Sequence, residues 1–230
     1  MTDDLLRHSA PEYLALLHRG VFLVLAGIIA QFLMIIGGFA GAIVLASNGV
    51  NMATFELALT LLSLVGTVMI AWGWFEFSSP DPAFTGRSDG SQARVVVRVA
   101  VIVNALISLV TGVAQLALPA MATAPGAMPT PVSAADLVLV LLSLVGFVAW
   151  AVSFFAAMLY LRWLCPRIPN WRASRRAKTL MWLGPLLFTV GALCIGLGPL
   201  VAIVLYWNML DWIRKDLKRI RAEQSELGMA

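Results

Sequence analysis

Four long apolar runs limit what this chain can become more than any other feature of it. They cover residues 20–47, 53–75, 95–122 and 136–163. A membrane-crossing helix needs about 20 mostly apolar residues, because the hydrocarbon layer is about 30 Å thick. Backbone N–H and C=O groups inside that layer must be satisfied internally, which a helix does within one segment. Composition fits the same reading. Of 230 residues, 60% are hydrophobic and 12% charged, whereas soluble domains are nearer 45–50% and about 25%. An ordinary soluble domain, a disordered chain and a disulfide-stapled mini-protein are excluded. The first run far exceeds the ~7–15 residues of a signal-peptide core, so it reads as a retained first span.

A fifth apolar stretch, residues 179–213, is too long for one span and short for two. The 16 basic residues constrain it. Arg7 and Arg19 precede the first span. Arg87, Arg94 and Arg98 surround the start of the third. Arg162, Arg167, Arg172, Arg175, Arg176 and Lys178 follow the fourth, and Arg214, Lys215, Lys218, Arg219 and Arg221 close the chain. Basic residues concentrate on the cytoplasmic side of membrane proteins. All of them fall there if the fifth stretch turns back at Gly196-Leu197-Gly198-Pro199, a sequence suited to ending one helix and starting another.

The expected fold is therefore an all-α integral membrane protein. It is a six-helix transmembrane bundle of three hairpins, with the last two spans at 179–196 and 199–213. Both termini are cytoplasmic, and the host is the cell membrane, of the bacterial inner-membrane kind. Each half of the last hairpin has only about 15–17 apolar residues against the usual ~20. A re-entrant hairpin satisfies the same charge tally, and both arrangements stay open. Residues 1–19 form a cytoplasmic segment, where Ser9-Ala10-Pro11-Glu12 reads as a capping box for a short interfacial helix. Residues 76–94 read as an irregular loop. Residues 214–230 form a basic tail, with Leu210, Ile213, Leu217 and Ile220 at helical spacing. Trp72, Trp74, Trp163, Trp171, Trp182, Trp207 and Trp212 lie near cytoplasmic ends, where indoles favour the headgroup level.

Residues 56–66 read ELALTLLSLVG and residues 136–146 read DLVLVLLSLVG. They begin the second and fourth spans, which run the same way, so the first two hairpins read as a parallel duplication. A looser match sets 19–37 against 94–112. Chance similarity in a Leu-rich composition is the alternative.

Glu56 and Asp136 are the only charged residues on the expected outer side. They form either an acidic pair at a pore mouth or two helix N-terminal caps, and capping is the simpler account. Arg98, one turn inside the third span, is either functional or snorkelling to the surface. Gln31, Asn104, Thr111 and Gln115 lie deeper. They line a path or join helices by hydrogen bonds, and joining is favoured. Gly37 and Gly41 form a small-xxx-small face for a helix contact. Arg172, Arg175, Arg176, Arg214, Lys215, Lys218 and Arg219 are candidates for contact with anionic lipid headgroups or a partner.

The two histidines, His8 and His18, both precede the first span, so a bis-His haem or a His-rich metal site between membrane helices has no ligands. No GxSxG, HExxH or P-loop pattern occurs, and Cys165 and Cys194 form no CxxC motif. The expectation is a non-enzyme without cofactor. Its partners are the bilayer, anionic headgroups and a membrane protein or second copy, with no role for nucleic acid. An accessory or structural subunit of a membrane complex ranks first, a small transporter or channel second, and a lipid-interacting protein third. One feature separates the first two: a transporter gathers polar residues from several helices around one cavity near mid-membrane.

Overall fold

The computed structural model describes residue 6 and residues 9–48, 52–81, 91–117, 134–168, 170–193 and 197–226. Its helices are α1 (Pro11–Asn48), α2 (Met52–Phe77), α3 (Ser91–Ala117), α4 (Ala134–Leu164), α5 (Trp171–Leu193) and α6 (Leu197–Glu226), with a 3-10 turn at Cys165–Arg167 between α4 and α5. Each helix packs on its chain neighbour and α6 returns to α1, so the six close a ring in chain order. Four are long and apolar enough to cross a membrane, over Pro11–Gly38, Leu57–Phe77, Gln92–Ala114 and Leu137–Arg167. Within α5 and α6 the described residues do not reach that measure. Basic residues occupy the start of α5, and charged residues fill α6 from Asp211 onward.

The α1–α2 contact is close along much of its length, and glycines set it. A Cβ on Gly20 would lie 2.6 Å from the Phe77 nitrogen, and one on Gly73 would lie 2.7 Å from the Gly20 carbonyl oxygen. Seven residues further along α1, a Cβ on Gly27 would lie 2.7 Å from the Gly66 carbonyl oxygen. Only glycine permits backbones to meet this closely. The expected Gly37–Gly41 face plays a smaller part. Gly41 faces the Phe55 ring of α2, while Gly37 is in ordinary contact with Leu59.

Every Lys and Arg among the described residues lies at one end of the ring, with the start of α1 and the end of α6. That end is densely packed. Leu14, Leu17, Phe77, Tyr160, Ile213, Leu217 and Ile220 are fully or almost fully buried there. Polar ties cross between elements. Ser9 Oγ donates to Asp81 Oδ2 at 2.5 Å, and Tyr160 donates to the Phe77 carbonyl at 2.8 Å. Gln224 donates to the Ser9 carbonyl at 3.0 Å, and Arg19 Nε donates to Glu76 Oε2 at 2.8 Å.

Three expectations change here. α1 is one helix from Pro11, and Tyr13, Leu14 and Leu17 are buried in the core instead of lying flat in an interface. The expected loop at 76–94 is shorter, because Glu76 and Phe77 belong to α2 and Ser91–Arg94 to α3. The apolar face of the tail is occupied by the protein itself, since Leu210, Ile213, Leu217 and Ile220 are all core residues.

Away from the charged end the exterior is apolar. Phe22, Ile29, Leu33 and Ile36 on α1, Val99, Ile102, Leu106 and Val113 on α3, and Leu137, Leu141, Leu144 and Val148 on α4 are exposed. Trp182, Leu186 and Val190 on α5 and Val201 and Val204 on α6 continue the belt. Contiguous apolar surface of this extent is foreign to soluble monomers.

Candidate functional site: a central cavity

The ring surrounds a partly open cavity of about 600 Å³ to which all six helices contribute. Its two sides differ in chemistry. α1, α2 and α3 supply amide and hydroxyl groups from Gln31, Thr60, Ser63, Thr67, Asn104, Ser108 and Thr111. α4, α5 and α6 supply rings from Trp150, Phe154, Phe188 and Tyr206, and α4 adds the hydroxyls of Ser143 and Ser153. The rings brace one another. Trp150 and Phe188 lie 4.1 Å apart between centroids, and Phe154 and Tyr206 5.2 Å. Trp74 adds an indole whose Nε1–H donates to the Tyr206 hydroxyl at 3.2 Å. No described lining residue is Asp, Glu, Lys, Arg, His or Cys. Among the described residues no three His, Cys, Asp or Glu side chains gather into a metal-binding group.

Helix rise gives the depth. At about 1.5 Å per residue, Asn104 lies about 9 Å beyond Arg98, Tyr206 about 12 Å beyond Arg214, Ser153 about 14 Å beyond Arg162 and Gln31 about 18 Å beyond Arg19. With Ser143 about 28 Å beyond Arg162, the cavity lining runs from roughly 9 to 28 Å from the charged end. Between it and that end sits an aromatic floor. Trp74, Phe77 and Tyr160 meet edge to face or tilted, with centroids 5.4–6.2 Å apart.

The polar groups on the wall fall into two kinds. Gln31 is committed. Its Nε2 donates to the Ser63 carbonyl at 2.8 Å and to Thr67 Oγ1 at 3.0 Å, and Ser63 Oγ donates back to Gln31 Oε1 at 3.4 Å. It ties α1 to α2. Thr111 and Ser143 donate to carbonyls one turn back in their own helices. Asn104 is different. Its carboxamide makes no hydrogen bond to any described residue, and the hydroxyls of Ser108 and Ser153 make none either. Tyr206 accepts from Trp74 but donates its own proton to no described group.

The other sequence candidates sit elsewhere. Arg98 closes the end of α2: Nε donates to Ser78 Oγ at 2.9 Å, Nη2 donates to the Phe75 carbonyl at 3.2 Å, and the guanidinium lies 4.4 Å from the Phe75 ring centroid. A cation beside the last carbonyls of a helix is favourable, so Arg98 neither lines the cavity nor simply reaches for water. Glu56 falls in the second turn of α2, Asp136 in the first turn of α4 and Gln115 near the end of α3. Their side chains lie outside the described residues. In the basic cluster, Arg176 stacks on Trp212 at 4.5 Å. Arg214 and Lys215 both pair with Asp211, at 2.7 and 2.6 Å, and Arg219 stands 3.8 Å from both Asp216 and Glu223. Arg172, Arg175 and Lys218 are exposed.

Sequence reading missed Trp74, expected at a membrane surface but found buried, and the wall residues Ser63, Thr67, Ser108, Ser153 and Tyr206. Ser63 and Ser143 hold the same place in the two repeated segments, and both line the cavity. Gly66 meets Gly27, and its counterpart Gly146 meets Ile107. The second contact is displaced by 80 residues in both members, so helix packing does not use the 75-residue shift of the looser match. Comparison of the chain with protein-family models, curated proteins and solved structures gives no match.

Proposed function

We propose that this protein is a small integral membrane transporter whose substrate site is the central cavity. The observation that carries the reading is the cavity wall: six helices converge on one space, and Asn104, Ser108 and Ser153 bring to it polar groups that no described residue satisfies. An uncommitted carboxamide is costly in an apolar setting. In a bundle built only as a scaffold, packing would close over it. The lining, roughly 9 to 28 Å from the charged end, includes the depth that would be the middle of a hydrocarbon layer about 30 Å thick, where transporters hold their substrates, and this supports the reading. This depth reverses the order expected from sequence and moves the accessory subunit to second. The apolar exteriors of α3 and α4 suit that second reading, because they offer a broad face to a protein partner as well as to lipid.

The proposed topology has α1–α4 crossing the bilayer and the charged end facing the cytoplasm, in keeping with the location of every described basic residue. The α5–α6 hairpin enters from that side and returns. Its apolar arms, from Lys178 to Leu193 and from Arg214 back to Leu197, rise only about 22 and 25 Å. In this proposal the hairpin completes the aromatic wall of the cavity with Phe188 and Tyr206 instead of making a third full crossing.

The test is cysteine accessibility in proteoliposomes, on a C165A/C194A background. S63C, S108C and S143C should react with a membrane-impermeant maleimide, while the outward-facing V65C and L106C should not. Failure of all three cavity positions to label would return the accessory subunit to first place. Co-purification of a stoichiometric membrane partner in mild detergent would support the same reversal. For the hairpin, Cys194 in the single variant C165A should stay unlabelled from the outside; rapid labelling there would make it a full crossing.

A further inference from the structure

We infer that the cavity's ligand is an uncharged, ring-bearing amphipath, an apolar body with a carbonyl, hydroxyl or amide edge that Asn104 and Tyr206 read. The inference rests on the transporter reading of the same cavity and goes further, from a site to the chemistry of what fills it.

Three features carry it. The first is the absence of charge on the described wall. A charged ligand moved from water to mid-bilayer loses its hydration, and pairing with a counter-charge or several strong dipoles is what offsets that loss. Gln31 is spent on Ser63 and Thr67, and Thr111 and Ser143 on their own helices. The remaining Asn104 carboxamide, two serine hydroxyls and a phenol are suited to neutral groups, not to an ion. The second feature is the division of the wall. Trp150, Phe154, Phe188 and Tyr206 form a braced aromatic face, against which a flat ring stacks with little loss of side-chain freedom. Most of the hydroxyl and amide groups, and both carboxamides, stand on α1, α2 and α3, while α4 adds the hydroxyls of Ser143 and Ser153. A molecule held between them has one apolar face and a polar edge. The third feature is size. A space of about 600 Å³ falls inside the roughly 300–1,000 Å³ of drug-sized sites and far exceeds what a hydrated monatomic ion requires.

The donor and acceptor inventory narrows the edge. Asn104 offers two N–H donors and a carbonyl acceptor. Tyr206 already accepts from Trp74, so what it has left to offer is its proton. A ligand carbonyl accepts from Asn104, Tyr206 or both. A ligand hydroxyl donates to Asn104 and accepts from Tyr206. Either chemistry reaches the cavity from the bilayer or from the far aqueous side.

The test uses purified full-length protein in lipid nanodiscs and a fluorescent neutral probe, an acyl-dimethylaminonaphthalene, whose fused ring and ketone match the two faces. Its sulfonated and quaternary-ammonium relatives serve as charged counterparts. Binding is read by energy transfer from tryptophan, with Trp74 and Trp150 lining the cavity. The neutral probe should bind saturably, and the charged relatives at least tenfold more weakly. N104L should weaken the neutral probe about tenfold, with a smaller loss for N104S. Y206F should weaken it several-fold while keeping the ring. A long-acyl probe preloaded in the bilayer and a short-acyl probe added from water distinguish the two sources. Saturable binding by either one supports the inference.

Equal binding of a charged relative, or N104L and Y206F both within twofold of the parent, would overturn the ligand class. Absence of saturable neutral binding would overturn it as well. S108C labelling separates the two levels. A labelled cavity that rejects the neutral probe sinks only the ligand class, whereas an unlabelled cavity sinks the transporter reading with it.

Discussion

Gln31 and Asn104 look alike in the sequence, a lone carboxamide deep in an apolar helix, and the structure gives them opposite energetics. Gln31→Leu removes two well-formed hydrogen bonds, at 2.8 and 3.0 Å, and leaves the Ser63 hydroxyl without the acceptor it reaches at 3.4 Å. Interhelical hydrogen bonds in membranes average about 0.6 kcal/mol and reach about 1.7 kcal/mol, so the variant should lose about 1–2 kcal/mol. Asn104→Leu removes a group that makes no bond to a described residue and substitutes an apolar one of similar volume. Replacing an unsatisfied polar group this way is neutral to stabilising, so ligand-free protein should gain between zero and about 1 kcal/mol. The two variants should therefore differ by about 1–3 kcal/mol, the sum of these two ranges. The assay is reversible unfolding in mixed micelles of rising SDS fraction, followed by tryptophan fluorescence. If Asn104→Leu is destabilised as much as Gln31→Leu, Asn104 is a structural tie and the argument from its lack of partners fails. A neutral Gln31→Leu would equally refute the claim that this side chain joins α1 to α2.

Further outcomes follow from the packing. Gly20→Ala places a methyl group 2.6 Å from the Phe77 nitrogen and should cost about 1–3 kcal/mol by overpacking; Gly38→Ala, with 3.5 Å to a Leu59 methyl, should be neutral or slightly stabilising in the same unfolding assay. Leu217→Ala should cost about 2–5 kcal/mol because that side chain is a core residue. Exposed Lys218→Ala should stay within about 0.5 kcal/mol, a contrast that disappears if the tail is a detached headgroup-binding helix. Tyr160→Phe should cost about 1–2 kcal/mol, since the Phe77 carbonyl loses a buried donor at 2.8 Å. Neutral-probe binding should be flat from about pH 5 to 9, because the described wall holds no titratable side chain but a phenol, whose ordinary pKa is about 10. A sigmoidal step in that range, measured by the same energy transfer, would place an acid or a histidine at the site.

What the sequence determined by itself is the set of helices, and the fact that their charged ends gather together. Both follow from one-dimensional quantities. An apolar run either is or is not long enough to cross a bilayer, and every basic residue is visible without knowing its neighbours. The break between the last two helices was legible for a similar reason, since Gly and Pro act locally on the backbone, although α6 already includes Leu197 and Gly198 and residues 194–196 lie outside the described residues. The site was less legible. Gln31 and Asn104 were visible as polar residues in apolar helices, but sequence could not tell a committed amide from an uncommitted one. That difference lies in whether another helix brings an acceptor within about 3 Å, and the α1–α2 register does so for Gln31 through the approach of Gly20 and Gly27 to Gly73 and Gly66. The same limit hid the tail's fate. An apolar stripe at helical spacing demands a cover but does not name it, and the ring chose α6's own neighbours over a lipid surface. Trp74 and Tyr206 became part of the site only because ring closure brought α2 and α6 to the same depth. Helices come from the chain's local chemistry, whereas a cavity is a property of what lies between them, and only the packed arrangement defines it.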